Sequence, residues 1–553
     1  MALISIKRNK AGLIAVIAPY QLKDTLKASP GARWDKDSGC WTYPWSAKAL
    51  TSLKGALGDL WDITNLSPKV QALFDESNQL TQHVERVRET AEGLAPIPMT
   101  VYRPWNHQLQ AYHFAYPLPG CLLNMAVGTG KSKVTIDLMM NRRTHANLIF
   151  GPKKVVENVW EHQLNEHWGE EAGPLNYVIQ AGDSARFQKR VEALMQEPEP
   201  FVAITTYQTA WRSGFADWAI KQRWGTVTLD EIHRAKAPGG KASMFFSKLG
   251  QQTDFRLGLS GTPIPNGLQD SYGIYRFLDP GIFGTNYQRF CDRHVVFGGF
   301  NNYQIMGYVN EEEWNRKFYS IAFRVDDDVL DLPIAREVLY LCDLDDSVKS
   351  TYKSLKKEFI AEVKGKTISA KNVLAKMVRL QQITSGFMQM DVEEGEEKDT
   401  QPLETNPKLS LLADTLADMA IDEPIVIFYR FTPDATNIRR LLEELGRSVA
   451  EVSGSADELK DWQAGDKDVV MVQVQSGNEG NDFTRTRYAI FYSMTYSWGD
   501  FVQSKGRVRR PGQKRQPEFI RLAVKGTIDE DIWKALDNKT DVIDWVLRGI
   551  NGS

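Results

Sequence analysis

Lys131 and Ser132 close the stretch LLNMAVGTGKSKV, residues 122–134, where an apolar run ends in two glycines, a lysine and a hydroxyl. Backbone N–H groups of such a turn can cradle phosphate oxygens, because only Gly lets the chain approach so closely. In that reading Gly128, Thr129 and Gly130 form the cradle, Lys131 pairs with β/γ-phosphate charge and the Ser132 hydroxyl ligates magnesium. The competing reading is a glycine-rich strand–helix turn with an exposed lysine. The first position of the usual pattern is Gly or Ala, and Met125 stands there instead.

The β-rich run GTVTLDEIHRAK ends in Asp230 and Glu231. There one carboxylate can hold magnesium while its neighbour polarises water. An acidic pair after a strand is usually a solvated turn, but behind an earlier GKS loop that alternative weakens. A third apolar run, in LGLSGTPIPN, ends in Ser260, Gly261 and Thr262, small polar residues where a relay between a nucleotide site and a polymer site would sit. FVQSKGRVRRPGQKR places Arg507 and Arg510 three apart, on one face of an expected helix;. Arginines can stabilise the charge that develops on a transferring phosphoryl group. Contact with phosphate backbones is the alternative, and it is the reading taken for Arg509, Lys514 and Arg515.

These residues need strands to carry them. Between residues 105 and about 280, CLLNMAV, NLIFGP, FVAITTY, GTVTLDE and FRLGLSG alternate with helical stretches, the rhythm of a parallel α/β sheet with function at its strand ends;. A second set follows: PIVIFYR, SVAEVSG, DVVMVQV, YAIFYSM and PEFIRLAV. Between the sets the chain reads as mostly helical and locally basic, with the acidic run DVEEGEEKD as a solvated loop. Residues 3–17 read as two strands around RNKAG, and ARWDKDSGCWTYPW as a hairpin turning at Asp37-Ser38-Gly39. A long polar helix behind them reads as a tether or spacer.

The chain has 553 residues, 42% hydrophobic and 25% charged, the composition of a soluble globular protein of several domains;. No apolar run approaches the roughly 20 residues that cross a bilayer, and the N-terminus MALISIKRNK lacks a secretory pattern. Cys40, Cys121, Cys291 and Cys342 are scattered without metal-ligand spacing, which suggests reduced thiols in a cytosolic compartment;. The formal net charge of −3 gives no global signal for nucleic acid and excludes none, since phosphate contacts need local basic patches;.

In order, HQ at 107–108, MAVGTGKS, GPKK, ITTYQ, LDEIH, LSGTP, IVIFYRF, SGNEGNDF and QSKGRVRRPGQ resemble the helicase motifs of superfamily two. More narrowly, LSGTPIPNGLQDSYGIYRFLDPGIFG, RLQQITSGF, RVRRPGQ and GTIDEDIWKALDNKTDVIDWVL resemble Swi/Snf family DNA-dependent ATPases, over about residues 100–545. The resemblance implies two tandem RecA-like α/β lobes with a helical insertion, behind a small α+β N-terminal domain. The expected boundaries are a module at 1–60, a helical linker at 61–100, lobe 1 at 101–285, an insertion and interlobe linker at 286–400, lobe 2 at 401–524 and a brace helix at 525–553.

Carried over by motif, the resemblance implies that Gln108 reads adenine. Gly128, Thr129, Gly130, Lys131 and Ser132 would hold the phosphates, Ser132 and Asp230 the Mg2+, and Glu231 would activate water. Arg507 and Arg510 would be arginine fingers. Pro152, Lys153, Tyr207, Ser476 and Asn478 would line the nucleic-acid path, and His233, Ser260, Thr262 and Gln503 would couple the two sites. Met125-Ala126, Gly506 and Arg509 depart from the family's acidic pair, Asp and His; they leave the phosphate chemistry intact and point to no named subfamily.

GARWDKDSGCWTYPW is also similar to the HARP-type module of annealing helicases, with Trp34 and Trp41 as core or as exposed stacking groups;. The leading expectation is an ATP- and magnesium-dependent translocase on duplex or forked DNA, possessing no obvious strand-separating pin between its motifs. The alternatives are a strand-separating helicase, or a remodeller of a protein–DNA complex with a replication or transcription partner such as RNA polymerase. No membrane role is expected; the expected setting is the bacterial nucleoid or a phage-infected host cytoplasm.

Overall fold

The computed structural model describes residues 4–180, 182–211, 214–265, 267–298, 304–364, 370–389, 400–477 and 480–538. Two compact units divide between Val329 and Leu330.

In the first unit, β1 (Ser5–Arg8), β2 (Ile14–Ile17), β3 (Arg33–Asp35), β4 (Cys40–Tyr43) and β5 (Asn65–Leu66) form a sheet in the order β3-β4-β2-β1-β5. The turns read at RNKAG and Asp37-Ser38-Gly39 join the antiparallel pairs β1–β2 and β3–β4. Trp41 enters the module core with Tyr43, Leu50 and Leu53, whereas Trp34 is 52% exposed and meets Trp41 edge-on at 5.4 Å. The two are register partners across β3–β4 and share one face of the sheet; Trp34 is the more open because β3 is the edge strand;.

The polar stretch read as a tether is the helix Pro68–Glu89, and it is clamped at both ends. Val70 and Phe74 lie in the module core, Val84 and Val87 in the core of the following sheet. Arg88 Nη2 also donates to the Ala322 carbonyl at 2.9 Å. Apolar residues spaced along two faces make this helix a splint.

Next come β6 (Gly120–Met125), β7 (Ala146–Gly151), β8 (Asn176–Ile179), β9 (Phe201–Thr206), β10 (Trp224–Asp230), β11 (Thr253–Ser260), the hairpin β12 (Val295–Gly298) and β13 (Gln304–Tyr308), and β14 (Ala322–Val325). Leaving the hairpin aside, they form a wholly parallel sheet in the order β14-β6-β11-β10-β7-β9-β8. β6 and β7 are buried throughout, as strands covered on both faces must be;. β14 extends this sheet past the expected boundary at residue 285. It is only four residues long and lies between helices, so it gave no alternating signal. The antiparallel pair β12–β13 also lies between the motifs, where the sequence offered no obvious inserted element, and Phe297 and Met306 on it are exposed.

In the second unit, β15 (Arg336–Cys342), β16 (Phe387–Gln389), β17 (Thr400–Pro402), β18 (Ile425–Tyr429), β19 (Val449–Val452), β20 (Val469–Gln473), β21 (Tyr488–Phe491) and β22 (Glu518–Val524) appear in chain order. Six make a parallel sheet, β15-β22-β21-β18-β20-β19, and β16 pairs with β17. The expected insertion is thus helical only in part. It contains the helices Asp346–Lys364 and Ala370–Thr384, but β15 within it is an edge strand of the second sheet. The acidic run and residues 539–553 of the expected brace lie outside the described residues; Ile528–Asp537 is helical. Two helix-covered parallel sheets in tandem are two RecA-like lobes. Among the described residues no helix is long and apolar enough to cross a membrane.

Candidate nucleotide site and its neighbours

The sheet order decides which side chains meet. β11 is hydrogen-bonded to β6 on one side and β10 on the other, so the ends carrying the glycine loop, Ser260 and Asp230 are neighbours although far apart in sequence. Because the chain leaves β6 on one side and reaches β7 beyond β11 and β10, this edge holds the crevice that open α/β sheets use for ligands;.

Gly128 and Gly130 have φ of 85° and 90°, in the left-handed region that the turn demands;. A Cβ on Gly130 would lie 2.2 Å from Gln108 Nε2, so the position admits glycine alone. The helix Lys131–Arg142 starts directly behind, aiming its unpaired N–H groups at the loop;. Met125 is fully buried, and its carbonyl accepts from Lys131 Nζ at 2.8 Å; Ala126 O accepts at 3.2 Å. The first position therefore contributes a backbone carbonyl, while its side chain belongs to the sheet core. That is how a methionine fits there.

Gln108 is 4% exposed and holds the loop from behind, its Nε2 donating to Thr129 O at 3.2 Å and its Oε1 accepting from Trp105 N at 3.0 Å. An amide has two donors and two acceptor sites, which leaves one of each for a base. His107 Nε2 lies 3.0 Å from the same Thr129 carbonyl, a support that the sequence reading passed over despite the adjacent glutamine.

Asp230 ends β10 with Oδ2 receiving Trp160 Nε1 at 3.0 Å and its carbonyl receiving Tyr207 OH at 2.8 Å. Burial first, and then the charge of Glu231, push its carboxyl above the usual range; Lys131 pulls it down;. Trp160 was missed because nothing in its local sequence points to a residue seventy positions away.

Glu231 has φ 53°, one of three non-glycine residues with positive φ among those described. That conformation costs on the order of 1–3 kcal/mol and here turns the side chain toward β11. Ser260 Oγ donates to Glu231 Oε2 at 3.1 Å and accepts from Thr262 N at 3.1 Å. His233 Nδ1 lies 3.3 Å from both Ser260 Oγ and Glu231 Oε2; with the serine proton committed to Glu231, this nitrogen is the donor;. Glu231, His233, Ser260 and Thr262, named separately in sequence, are thus one hydrogen-bonded group.

The donor set suits a nucleoside triphosphate and magnesium. The loop offers N–H groups and Lys131. Ser132 and Asp230 supply a hydroxyl and a carboxylate, and the crowded acidic pair favours a divalent cation;.

Other expected residues fare differently. Lys153 is exposed at the start of the helix Lys153–Asn158, and Pro152 is its buried N-cap. Tyr207 is corrected: at 2% exposure with its hydroxyl on Asp230 O, its ring belongs to the core and cannot face a strand. Arg507 and Gln503 lie in the helix Trp498–Val508, and both are half-buried. Arg510 is past its end, so the expected shared helical face does not exist; its Nη1 lies 3.6 Å from Asp482 Oδ2. Arg509 Nε donates to Pro333 O at 3.0 Å, and Arg515 Nη1 lies 2.9 Å from Glu423 Oε1. The Ser476 side chain and Asn478 lie outside the described residues.

A phosphate-binding loop, an acidic strand end and a hydroxyl relay on adjacent strands, with a second parallel sheet later in the chain, define a helicase-like P-loop ATPase. The profile of the SNF2-related domain matches residues 48–386, and that of the helicase conserved C-terminal domain residues 407–512. The chain belongs to the SNF2-related family, the Swi/Snf branch of helicase superfamily two. It is 24% identical over 446 residues to the chromodomain-helicase-DNA-binding protein 1-like of Danio rerio, covering 78% of this chain and 42% of that protein. To protein p41 of the Acyrthosiphon pisum secondary endosymbiont phage 1 it is 23% identical over 461 residues, covering 77% of this chain and 93% of p41. A solved Sulfolobus solfataricus SWI2/SNF2 ATPase core in complex with dsDNA has 20% identity and a TM-score of 0.38, covering 83% of this chain and 96% of that one. The chain spans less than half the length of the zebrafish relative.

Proposed function

We propose that this chain is a DNA-dependent ATPase that moves along duplex DNA and remodels what it meets there. The observation that carries the reading is the Glu231–Ser260–His233–Thr262 group at the mouth of the glycine loop. Lys131, now turned onto the Met125 and Ala126 carbonyls, swings to the β/γ-phosphates when ATP enters;. Glu231 orients and accepts a proton from the attacking water, and Ser260 fixes its carboxylate. Ser132 and Asp230 would hold magnesium, which would supply charge neutralisation at the phosphates. Arg507 and Arg510 supply the remaining positive charge. Ser260 and Thr262 link Glu231 to the backbone after β11, a route by which DNA contacts at residues such as Lys153 alter hydrolysis.

Forked DNA is the favoured substrate of the N-terminal module, whose exposed Trp34 can stack on a base;. A replication or transcription protein is the proposed further partner, and the phage relative supports action on the nucleoid or in an infected cytoplasm. Strand separation stays as a second reading because the β12–β13 hairpin exposes Phe297 and Met306. ATPase titration with duplex, single-stranded and forked DNA and with RNA tests the proposal. Stimulation by duplex or forked DNA above the others supports it, and stimulation by RNA alone overturns it.

A further inference from the structure

The N-terminal module docks on the first lobe along a seam. Ser46 Oγ donates to Asp279 Oδ2 at 2.8 Å, Arg289 Nη1 donates to Lys27 O at 3.1 Å, and a Cβ on Gly284 would lie 2.8 Å from Gly31 N. This seam encloses a cavity of about 40 Å³. A single water needs roughly 10–15 Å³ on this scale, so the space suits about three waters or one tetrahedral oxyanion.

The cavity is lined by Arg289, Arg293 and Lys317, and by no carboxylate among its described lining residues. Glu313 lies nearby and is shared, accepting from Arg293 Nη2 at 2.8 Å and from Lys317 Nζ at 2.7 Å. Three cations therefore face one carboxylate. Among the described residues, Arg289 donates to two carbonyl groups, those of Lys27 and Ala32.

A further titratable group on the lining is His294, 2% exposed between the rings of Phe283 and Phe290. Its Nδ1 is buried with no hydrogen-bond partner among the described residues. Such an orphan in a native core signals a missing water, ion or ligand. Burial first, and then the charge of Lys317, push the ring's pKa down, while Glu313 and a backbone contact with Val309 push it up; an anion beside Nδ1 would favour the protonated ring, which can donate from that nitrogen;.

We propose that this seam is a phosphate-binding site, separate from the glycine loop, in which Arg289, Arg293 and Lys317 hold the oxygens of one phosphate group and His294 Nδ1 completes its contacts. Bound phosphate would tie the module to the lobe through the two helices Tyr287–His294 and Glu311–Tyr319. The group is either a free phosphate or one phosphate of a nucleic-acid backbone. The chemistry is the same, and the experiment distinguishes the source.

Inorganic phosphate is titrated calorimetrically into the full chain carrying Lys131→Ala, which removes the phosphate-pairing lysine of the glycine loop. One phosphate per chain is expected to remain bound. Adding Lys317→Met, which keeps the aliphatic stem, or His294→Phe, which keeps the ring, is expected to weaken it at least tenfold. If His294→Phe lowers the unfolding midpoint, Lys317→Met alone carries the test. Loss of all phosphate binding with Lys131→Ala, or binding indifferent to both further substitutions, overturns the proposal. Competition by duplex DNA, with the salt slope of DNA binding reduced by about 1 in Lys317→Met, assigns the site to a backbone phosphate. Retained competition-free phosphate binding with an unchanged slope assigns it to the free anion.

Discussion

Glu231 holds a left-handed backbone beside a serine that fixes its carboxylate, the arrangement of a group kept in place for one proton transfer. Glu231→Gln is expected to bind ATP normally and hydrolyse it about 10²–10⁴-fold more slowly, read from nucleotide binding and single-turnover kinetics. Near-normal turnover would move the base elsewhere. Arg507→Ala and Arg510→Ala are each expected to abolish DNA-stimulated hydrolysis while DNA binding survives; a parallel loss of both would make them backbone contacts. In the second lobe Asp434 is wholly buried, and burial pushes its carboxyl up to about 6 despite Lys408 and Ser493. Its folded pKa thus exceeds the unfolded value, so the folded state binds the extra proton, and stability from this group is lost as pH rises through about 6;. Asp434→Asn should therefore gain stability relative to wild type between pH 4.5 and 7, measured by thermal unfolding at both (about two to three pH units apart). A gap that stays constant with pH would contradict this.

At the scale of elements, the helix Pro68–Glu89 decides how the module behaves. Val87 is fully buried in the first-lobe core, so Val87→Asp should destabilise the first unit by about 3–5 kcal/mol, seen as a lowered unfolding midpoint;. A free tether would show no change. The sequence read this helix as polar because each of its two apolar faces carries few residues, and only tertiary structure shows that both ends dock. Most strands of both sheets were legible because strands covered on both faces are nearly continuous apolar runs. β8, β14 and β15 were not: the first two have four residues each, and the third is an edge strand with Glu337, Leu339 and Leu341 exposed. The glycine loop at a strand–helix turn and the acidic strand end were legible from local motifs. The meeting of Ser260 with Glu231, the burial of Tyr207 and the helix end before Arg510 depend on strand order and chain direction, which no local motif encodes.

Across the whole molecule, the proposed hydrolytic machinery is the glycine loop and the acidic pair of the first sheet, and the proposed arginines belong to the second unit, in the helix Trp498–Val508 and just past its end. A motor on duplex DNA grips backbone, where charge repeats at every step and base identity is irrelevant. A formal net charge of −3 suits a protein that must release its track each cycle;. The exposed β12–β13 hairpin is the one described element that argues for wedging strands apart, so movement without separation is the claim most in need of a test. The direct measurement offers the chain two substrates with ATP: a duplex carrying a triplex-forming strand, and a plain duplex with a single-stranded tail. The account predicts displacement of the third strand, abolished in Glu231→Gln, while the tailed duplex stays paired. Rapid ATP-dependent unwinding of the tailed duplex without triplex displacement would contradict it.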